Sequence, residues 1–368
     1  MHSNGTPEAL SSPPLLATTP RRVLFFGKNM KRTRCTGALA EALESHGLDV
    51  KWVNMASLRR WLRPLANPVA RKIAARYEPD LVFVFCRDLP RKLLEELRLR
   101  VPIVLWVEEP LHDLCPEHVE YFRLAHLVCM SNPGKFSWLA SQGLANYAFV
   151  MSGFSPTFHY PDPGAFAGAA PSYKRDLVFI GGPGLKGNRA EFLGQISKHV
   201  RTEIFGPVSL WAEWIAKFPE LRVREPVGAA GYRAVCASSR IVLGMNQVND
   251  DPLYFSNRTF LTLACRGFHL TRYVPGLETV FEDGEHLAWY RDEAECLDKI
   301  RHYLSAPGKR ERIAAAGMQL VLDRHQYFHR VGQILEMLQC GVPRQEPAVI
   351  LQSMPARERS SAPAAVAK

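Results

Sequence analysis

The chain has 368 residues, of which 47% are hydrophobic and 22% charged. These values exclude an intrinsically disordered protein, and the length predicts two globular domains. The net charge of +10 is compatible with nucleic acid, an anionic membrane surface or a phosphorylated ligand as partner. The sequence contains no nucleic-acid-binding motif and no apolar run long enough to span a bilayer. We therefore expect no nucleic-acid partner.

The N-terminal segment and the cysteines indicate the cellular compartment of the protein. Residues 1–20 are rich in proline, serine and threonine, which predicts a disordered segment and not a signal peptide. The eight cysteines lie at irregular spacings without any C-x-x-C pair. This pattern favours free thiols over a disulfide framework or a zinc site. We expect a cytoplasmic protein with no bound metal.

Residues 21–160 alternate apolar runs with helical segments. The runs are RVLFFG, DVKWVN, PDLVFVF, PIVLWV, LVCMS and YAFVMSG. This alternation is typical of a parallel sheet flanked by helices, so we predict a first Rossmann-like domain here. Lys28, Lys31 and Arg32 follow the first run, at the edge that faces a ligand crevice in such sheets. A basic loop there would bind anionic groups across the cleft, and a solvated charged loop is the alternative.

Residues 58–77, LRRWLRPLANPVARKIAARY, mix basic residues with Trp61 and Leu65. The composition is reminiscent of helices that lie on a membrane surface. Pro64 and Pro68 interrupt the helical pattern. We expect a solvated loop and helix, with at most a weak peripheral contact with the inner face of a membrane.

A segment rich in proline, glycine and alanine, residues 160–172, separates this domain from a second one, predicted over 173–340. Its apolar runs are DLVFIGG, TEIFG, LRVREPV, RIVLGMN, FHLTRYV and EHLAWY, followed by helical stretches at roughly 292–304, 308–322 and 325–339. The low-complexity tail, residues 341–368, predicts disorder.

The second domain opens with a glycine-rich turn between a strand and a helix, Gly182-x-Gly184-x-x-Gly187. Glycines let backbone amides approach a phosphate, and the following helix N-terminus attracts its charge. Lys186 and Arg189 add cationic donors. A plain tight turn remains an alternative, as does a dinucleotide site, which is disfavoured because the first domain lacks the same motif.

Residues 256–290 resemble the second-domain signature of CgeB-type (spore-maturation) glycosyltransferases, relatives of the family-4 glycosyltransferases. The residues that carry the resemblance are Arg258, Phe260, Ala264, Cys265, Gly267, Pro275, Gly276, Glu278, Gly284 and Glu285. The similarity extends over roughly residues 22–340. It implies the α/β GT-B fold, in which two Rossmann-like parallel-sheet domains face a cleft and the second domain holds a nucleotide-sugar donor.

The resemblance implies transfer of a sugar to a glycan, a spore-coat component or a small-molecule acceptor, with the nucleotide-sugar as co-substrate and neither cofactor nor metal. The implied donor and phosphate-binding residues are Gly182, Gly184, Lys186, Arg189, Arg258, Gly276 and Glu278. If the reaction inverts, a general base is needed, and Glu108 and Glu109 follow the strand PIVLWV at the edge that faces the cleft. A charged surface turn is the alternative for this pair.

One departure from the family pattern leaves a second class of function open. Two positions that hold glutamate in the better-known relatives are occupied in this chain by Leu253 and Leu261. Because leucine accepts no hydrogen bond from ribose hydroxyls, a non-catalytic nucleotide-sugar-binding protein is the alternative to an enzyme. An NAD-linked enzyme is supported only by the glycine turn. The helical pair His325 and His329 has the spacing of metal ligands but lacks a third, so we interpret it as structural.

Overall fold

The computed structural model describes residues 10–12, 14–28, 34–108, 114–163, 173–254 and 256–343. Lys31, Arg32 and Glu109 lie outside the described residues, as do residues 1–9 and 344–368, which include most of the tail predicted to be disordered.

Residues 22–149 form a six-stranded parallel sheet with helices on its faces. The strands of this half are β1 (Leu10–Ser12), β2 (Arg22–Phe26), β3 (Asp49–Val53), β4 (Leu81–Phe85), β5 (Ile103–Val107), β6 (Leu127–Met130) and β7 (Tyr147–Phe149). The sheet order is β3-β2-β4-β5-β6-β7. The helices are α1 (Cys35–Ser45), α2 (Met55–Leu62), α3 (Ala66–Tyr77), α4 (Arg91–Leu97), α5 (Pro116–Phe122) and α6 (Phe136–Ser141).

Residues 175–290 form a second six-stranded parallel sheet. The remaining strands are β8 (Arg175–Ile180), β9 (Thr202–Phe205), β10 (Arg222–Arg224), β11 (Ser239–Gly244), β12 (His269–Arg272), β13 (Ala288–Tyr290) and β14 (Val342–Pro343). The helices are α7 (Asn188–Ser197), α8 (Val208–Lys217), α9 (Ala229–Ala237), α10 (Asn257–Ala264), α11 (Glu293–Leu304), α12 (Pro307–Arg324) and α13 (Tyr327–Cys340). The sheet order is β10-β9-β8-β11-β12-β13, so the chain reverses direction across the sheet between β8 and β11.

The prediction of two parallel α/β sheets is confirmed, and each apolar run singled out in the sequence overlaps one of the twelve strands β2–β13. The central strands are apolar at nearly every position because helices cover both faces of each sheet. In β5, for example, all five residues are buried. In such sheets ligands bind at the carboxyl ends of the strands, where the strand order reverses.

The last helix returns from the second half of the chain to the first sheet. The predicted boundary 173–340 groups α13 with the second domain, but α13 packs against α1 and buries Val331, Ile334 and Leu338 against the first sheet. Within the segment predicted to be disordered, β1 pairs antiparallel with β14. The amides of Leu15 and Leu16 donate to the carbonyl of Leu338 at 2.8 and 2.9 Å. The N-terminal segment is therefore anchored on the returning helix.

Within the described part of the chain, no helix is both long enough and apolar enough to cross a membrane.

Candidate functional site

The glycine turn lies at the carboxyl end of β8, beside the point where the strand order of the second sheet reverses. Gly184 and Gly187 have φ values of 87° and 75°. A Cβ on Gly184 would lie 2.2 Å from Oδ1 of Asn188, and one on Gly187 would lie 1.8 Å from the ring of Trp214. Both positions therefore require glycine. A Cβ on Gly182 would meet nothing within 4 Å, so the backbone there borders open space.

Two guanidinium groups converge on this turn. Arg189, in the first turn of α7, is 6% exposed, and its Nε has no hydrogen-bond partner among the described residues. Burial, reinforced by the charge of Arg258, lowers the pKa of Arg189 to about 10. Arg258 lies against the same turn, since a Cβ on Gly181 would lie 3.7 Å from its Cζ. Neither arginine forms an ion pair with a carboxylate within the described ranges, so the pair is suited to bind an anion.

Two asparagines, Asn246, which is buried, and Asn188, which is half-buried, hold the walls of this site. Asn188 donates from Nδ2 to the carbonyl of Gln247 at 2.9 Å. Asn246, after β11, accepts the amide of Ser256 at 2.7 Å and so fixes the start of α10. Oδ1 of Asn188 and Nδ2 of Asn246 are buried and have no partner among the described residues. These two atoms leave hydrogen-bonding capacity for a ligand beside the arginines.

The other residues predicted to bind the nucleotide-sugar donor lie in or beside two 3-10 turns. Lys186 is exposed, with φ of 50°, in the 3-10 turn Leu185–Gly187. Gly276, with φ of 87°, precedes a second 3-10 turn, Leu277–Thr279. Glu278 is exposed and accepts a hydrogen bond from the hydroxyl of Tyr273 at 3.0 Å. No hydrogen bond or ion pair within the described residues links these three to Arg189 or Arg258.

In the first domain, Glu108 follows β5 and is the centre of a polar cluster. Its Oε1 accepts hydrogen bonds from Sγ of Cys35 at 3.0 Å, the hydroxyl of Tyr327 at 3.1 Å and Oγ of Ser152 at 3.4 Å. Burial, followed by the charge of Glu108, raises the pKa of the Cys35 thiol well above its ordinary value. Burial likewise raises the pKa of Tyr327. Both groups therefore remain protonated donors, and they orient the carboxylate at the carboxyl edge of the sheet.

Lys28, of the predicted basic loop, is paired within its own domain. Its amide donates to Oδ2 of Asp88 at 2.7 Å, and its ammonium lies 3.6 Å from Oδ1 of the same residue. Asp88 follows β4, so this pair bridges two neighbouring strand ends. The ammonium of Lys28 is thus partly neutralised where an anion was expected.

The carboxyl edges of the two sheets come into contact where the loops after β6 and β11 meet. Gly134, after β6, lies so close to Asp251, after β11, that a Cβ on the glycine would lie 2.7 Å from Cγ of the aspartate. Arg233, on α9, donates to the carbonyl of Phe158 at 2.8 Å. The amide of Tyr327 donates to the carbonyl of Phe154 at 3.0 Å. The Gly134–Asp251 contact therefore joins the strand edge that carries Glu108 to the strand edge that carries the arginine pair.

The two leucines at the family glutamate positions are used in packing. Leu253 is 1% exposed, with φ of 55°. Leu261, on α10, is half-buried and contacts two apolar clusters of the core. Neither position offers a polar group to a ribose.

The two histidines of the closing segment have different partners. Nδ1 of His325 accepts from Nη2 of Arg330 at 2.7 Å, and Nδ1 of His329 accepts from the amide of Gln326 at 3.2 Å. Arg330 also donates to the carbonyl of Ser152 at 3.2 Å. These contacts join α13 to the chain that follows the first sheet.

Comparison with known proteins agrees with this architecture. Residues 189–336 match the model of a family described as glycosyl transferase-like. The Anabaena protein HepE, solved in complex with UDP and glucose, is similar over 86% of this chain and 99% of its own, with 16% identity and a TM-score of 0.60. Sucrose-phosphate synthase from Thermosynechococcus elongatus is similar over 86% and 99%, with 12% identity and a TM-score of 0.64. No curated protein matches the chain by sequence. The chain has the GT-B fold of these enzymes.

Proposed function

We propose that this protein is a glycosyltransferase that moves a hexose from a nucleotide-sugar donor to the hydroxyl of a glycan or small-molecule acceptor. The observation that carries the proposal is the pair Arg189 and Arg258, two guanidiniums without a carboxylate partner in the described chain at a glycine turn. Cleavage of a sugar nucleotide leaves a diphosphate, and preorganised cations stabilise the charge that develops on it. The family-model match and the CgeB-type resemblance of residues 256–290 support the same reaction.

In the proposed mechanism, the amides of the glycine turn and the N-termini of α7 and α10 bind the diphosphate together with both arginines. Asn188 and Asn246 keep these two helix starts in place. Glu108 accepts the proton of the acceptor hydroxyl as that oxygen attacks the sugar carbon. The donors Cys35, Ser152 and Tyr327 hold its carboxylate in position. Because the guanidiniums supply the positive charge, we propose that turnover continues in the presence of a chelator.

Calorimetric titration of the full chain with UDP, GDP and NAD tests the donor site. HepE was solved with UDP, which makes UDP the first probe. We expect a nucleoside diphosphate to bind and Arg258→Ala to weaken this binding about 10- to 100-fold, since a hydrogen bond to a charged group contributes about 1.5–3 kcal/mol. Melting temperature serves as the control for folding. Binding of NAD alone would contradict the proposal.

A non-catalytic nucleotide-sugar-binding protein is the second candidate, favoured by the packing of Leu253 and Leu261 where carboxylates are absent. Release of UDP or GDP from a panel of nucleotide-sugars, measured with and without simple acceptors, separates the two. Turnover that Glu108→Gln abolishes supports the enzyme. Tight donor binding without turnover under any condition supports the binding protein.

A further inference from the structure

The first domain contains a helix, α2, that buries very little of its surface against the protein core. Of the eight residues of α2, only Met55 is buried. The helix is followed by the 3-10 turn Arg63–Leu65, which buries no residue. Trp61 is 75% exposed and Leu65 is 59% exposed. An exposed tryptophan and an exposed leucine within five residues of sequence are unusual on a surface that faces only water. We call residues 55–65 the α2 surface.

The α2 surface is strongly basic. From residue 51 to residue 77 the chain contains seven lysines and arginines and no aspartate or glutamate. Arg59, Arg60 and Arg63 are exposed, and none of them forms an ion pair within the described ranges. Several other exposed arginines do form ion pairs: Arg71, for example, pairs with Glu96, and Arg91 pairs with Glu95 at 2.9 Å. Trp61 thus lies in a basic stretch of sequence, and the guanidinium of Arg60 is 5.3 Å from the centre of its ring.

Pro64 interrupts the helical pattern, as the sequence predicts, and separates α2 from α3 by one 3-10 turn. Asn54 caps α2, and its side chain accepts the amide of Ser57 at 3.0 Å. Pro64 lies in the 3-10 turn, and Pro68 lies in the first turn of α3, where its missing amide proton costs no hydrogen bond. The apolar and basic side chains are therefore held on ordered backbone, contrary to the loop expected from the sequence.

The α2 surface lies at the same edge of the sheet as Glu108. α2 follows the carboxyl end of β3, the edge strand, and Glu108 follows β5. Three strand spacings separate the carboxyl ends of β3 and β5, or about 14 Å at about 4.8 Å per spacing. A flat partner that docks on the α2 surface therefore lies beside the strand edge that carries Glu108 and does not occupy the site there.

We propose that the α2 surface docks on a lipid bilayer that contains anionic headgroups. Arginine is attracted to anionic headgroups, tryptophan prefers the interface between headgroups and acyl chains, and leucine gains by leaving water. A nucleic acid would satisfy the arginines but would leave Leu65 in water, whereas a bilayer interface accommodates the charged and the apolar side chains together. The proposal is independent of sugar transfer, because it concerns residues outside the cleft.

Cosedimentation of the full chain with vesicles tests the docking. We expect binding to phosphatidylcholine vesicles containing phosphatidylglycerol and little binding to phosphatidylcholine alone. Each arginine at an anionic surface contributes about fivefold in partitioning. Arg59→Gln/Arg60→Gln/Arg63→Gln should therefore lower binding roughly a hundredfold at low salt, and Trp61→Ser/Leu65→Ser should lower it about tenfold or more. Raising the salt to about 1 M should remove the arginine contribution, because the screening length falls to about 3 Å.

A matched control lies at the opposite edge of the same sheet. Arg98, Leu99 and Arg100 are exposed, with Leu99 at 83%, and they precede β5 instead of following it. Arg98→Gln/Leu99→Ser/Arg100→Gln should bind vesicles like the unaltered protein. Unchanged melting temperatures confirm that all variants fold. Equal vesicle binding by the α2 variants and the control, or binding of a short DNA duplex in place of vesicles, would overturn the proposal.

Discussion

Replacing Arg189 with methionine should stabilise the ligand-free protein and weaken its binding of a nucleoside diphosphate. The pKa of Arg189 is lowered to about 10 by burial and by Arg258. Relative to an unperturbed arginine, this corresponds to about 3 kcal/mol against the charged side chain in the folded state. Because the folded-state pKa is the lower one, this cost is present in full at every pH below about 10.

The expected net gain is smaller than this cost. Methionine preserves much of the aliphatic length but loses the contact of the guanidinium with the Phe179 ring, at 6.0 Å. We expect a net stabilisation of about 1–2 kcal/mol, which corresponds to a rise in melting temperature of roughly 2–8 °C for a domain of this size. The affinity for UDP should fall about 10- to 100-fold. Differential scanning fluorimetry and calorimetric titration on the same samples measure both effects.

Arg330 provides the matched control. Burial lowers its pKa to about 10 as well, but its guanidinium has protein partners, His325 at 2.7 Å and the Ser152 carbonyl at 3.2 Å. Arg330→Met leaves these groups unpaired and should destabilise the protein by about 1–3 kcal/mol without changing UDP affinity. If Arg189→Met also destabilises and leaves UDP affinity unchanged, Arg189 is a structural residue and the reasoning is refuted.

Three further variants test separate parts of the structure. Glu108→Gln should lower turnover about 10²- to 10⁴-fold while UDP affinity stays the same; full activity would assign Glu108 a structural role. Leu261→Glu should lose about 1–3 kcal/mol of stability with no gain in nucleotide affinity, because its side chain packs on two core clusters; tighter UDP binding would show instead that the position faces a ribose. Burial lowers the pKa of His269 to about 4, so the unfolded chain binds its proton more readily and stability should fall by about 2–3 kcal/mol as the pH drops from 6.5 toward 4. His269→Asn, which retains a donor for the Val242 carbonyl, should reduce that acid sensitivity in urea unfolding, and an unaltered pH dependence would contradict it.

The sequence alone determined where helices and strands form and the order in which they alternate along the chain. Apolar runs such as LVFVF and IVLWV are strand-length and bounded by turn residues, so their alternation with helical periods predicts parallel sheets. The glycine turn was recognisable because positive φ at Gly184 and Gly187 leaves glycine as the suitable residue. Arg258 was placed at a helix start by its neighbours Ser256 and Asn257, and Ser256 does cap α10.

Only the tertiary structure decided which of these residues meet. The hydroxyl of Tyr327 lies 3.0 Å from Sγ of Cys35, 292 positions away in the sequence, because α13 returns to the first sheet. Asn188 and Asn246 belong to no motif, and they matter because the reversal of strand order brings β8 and β11 together. The spacing of apolar residues shows that one face of a helix or strand is apolar, but it does not show which other element packs against that face. For the same reason the composition of residues 58–77 predicts a solvated loop and helix, and only the packing of α2 shows that Met55 alone is buried and Trp61 is exposed.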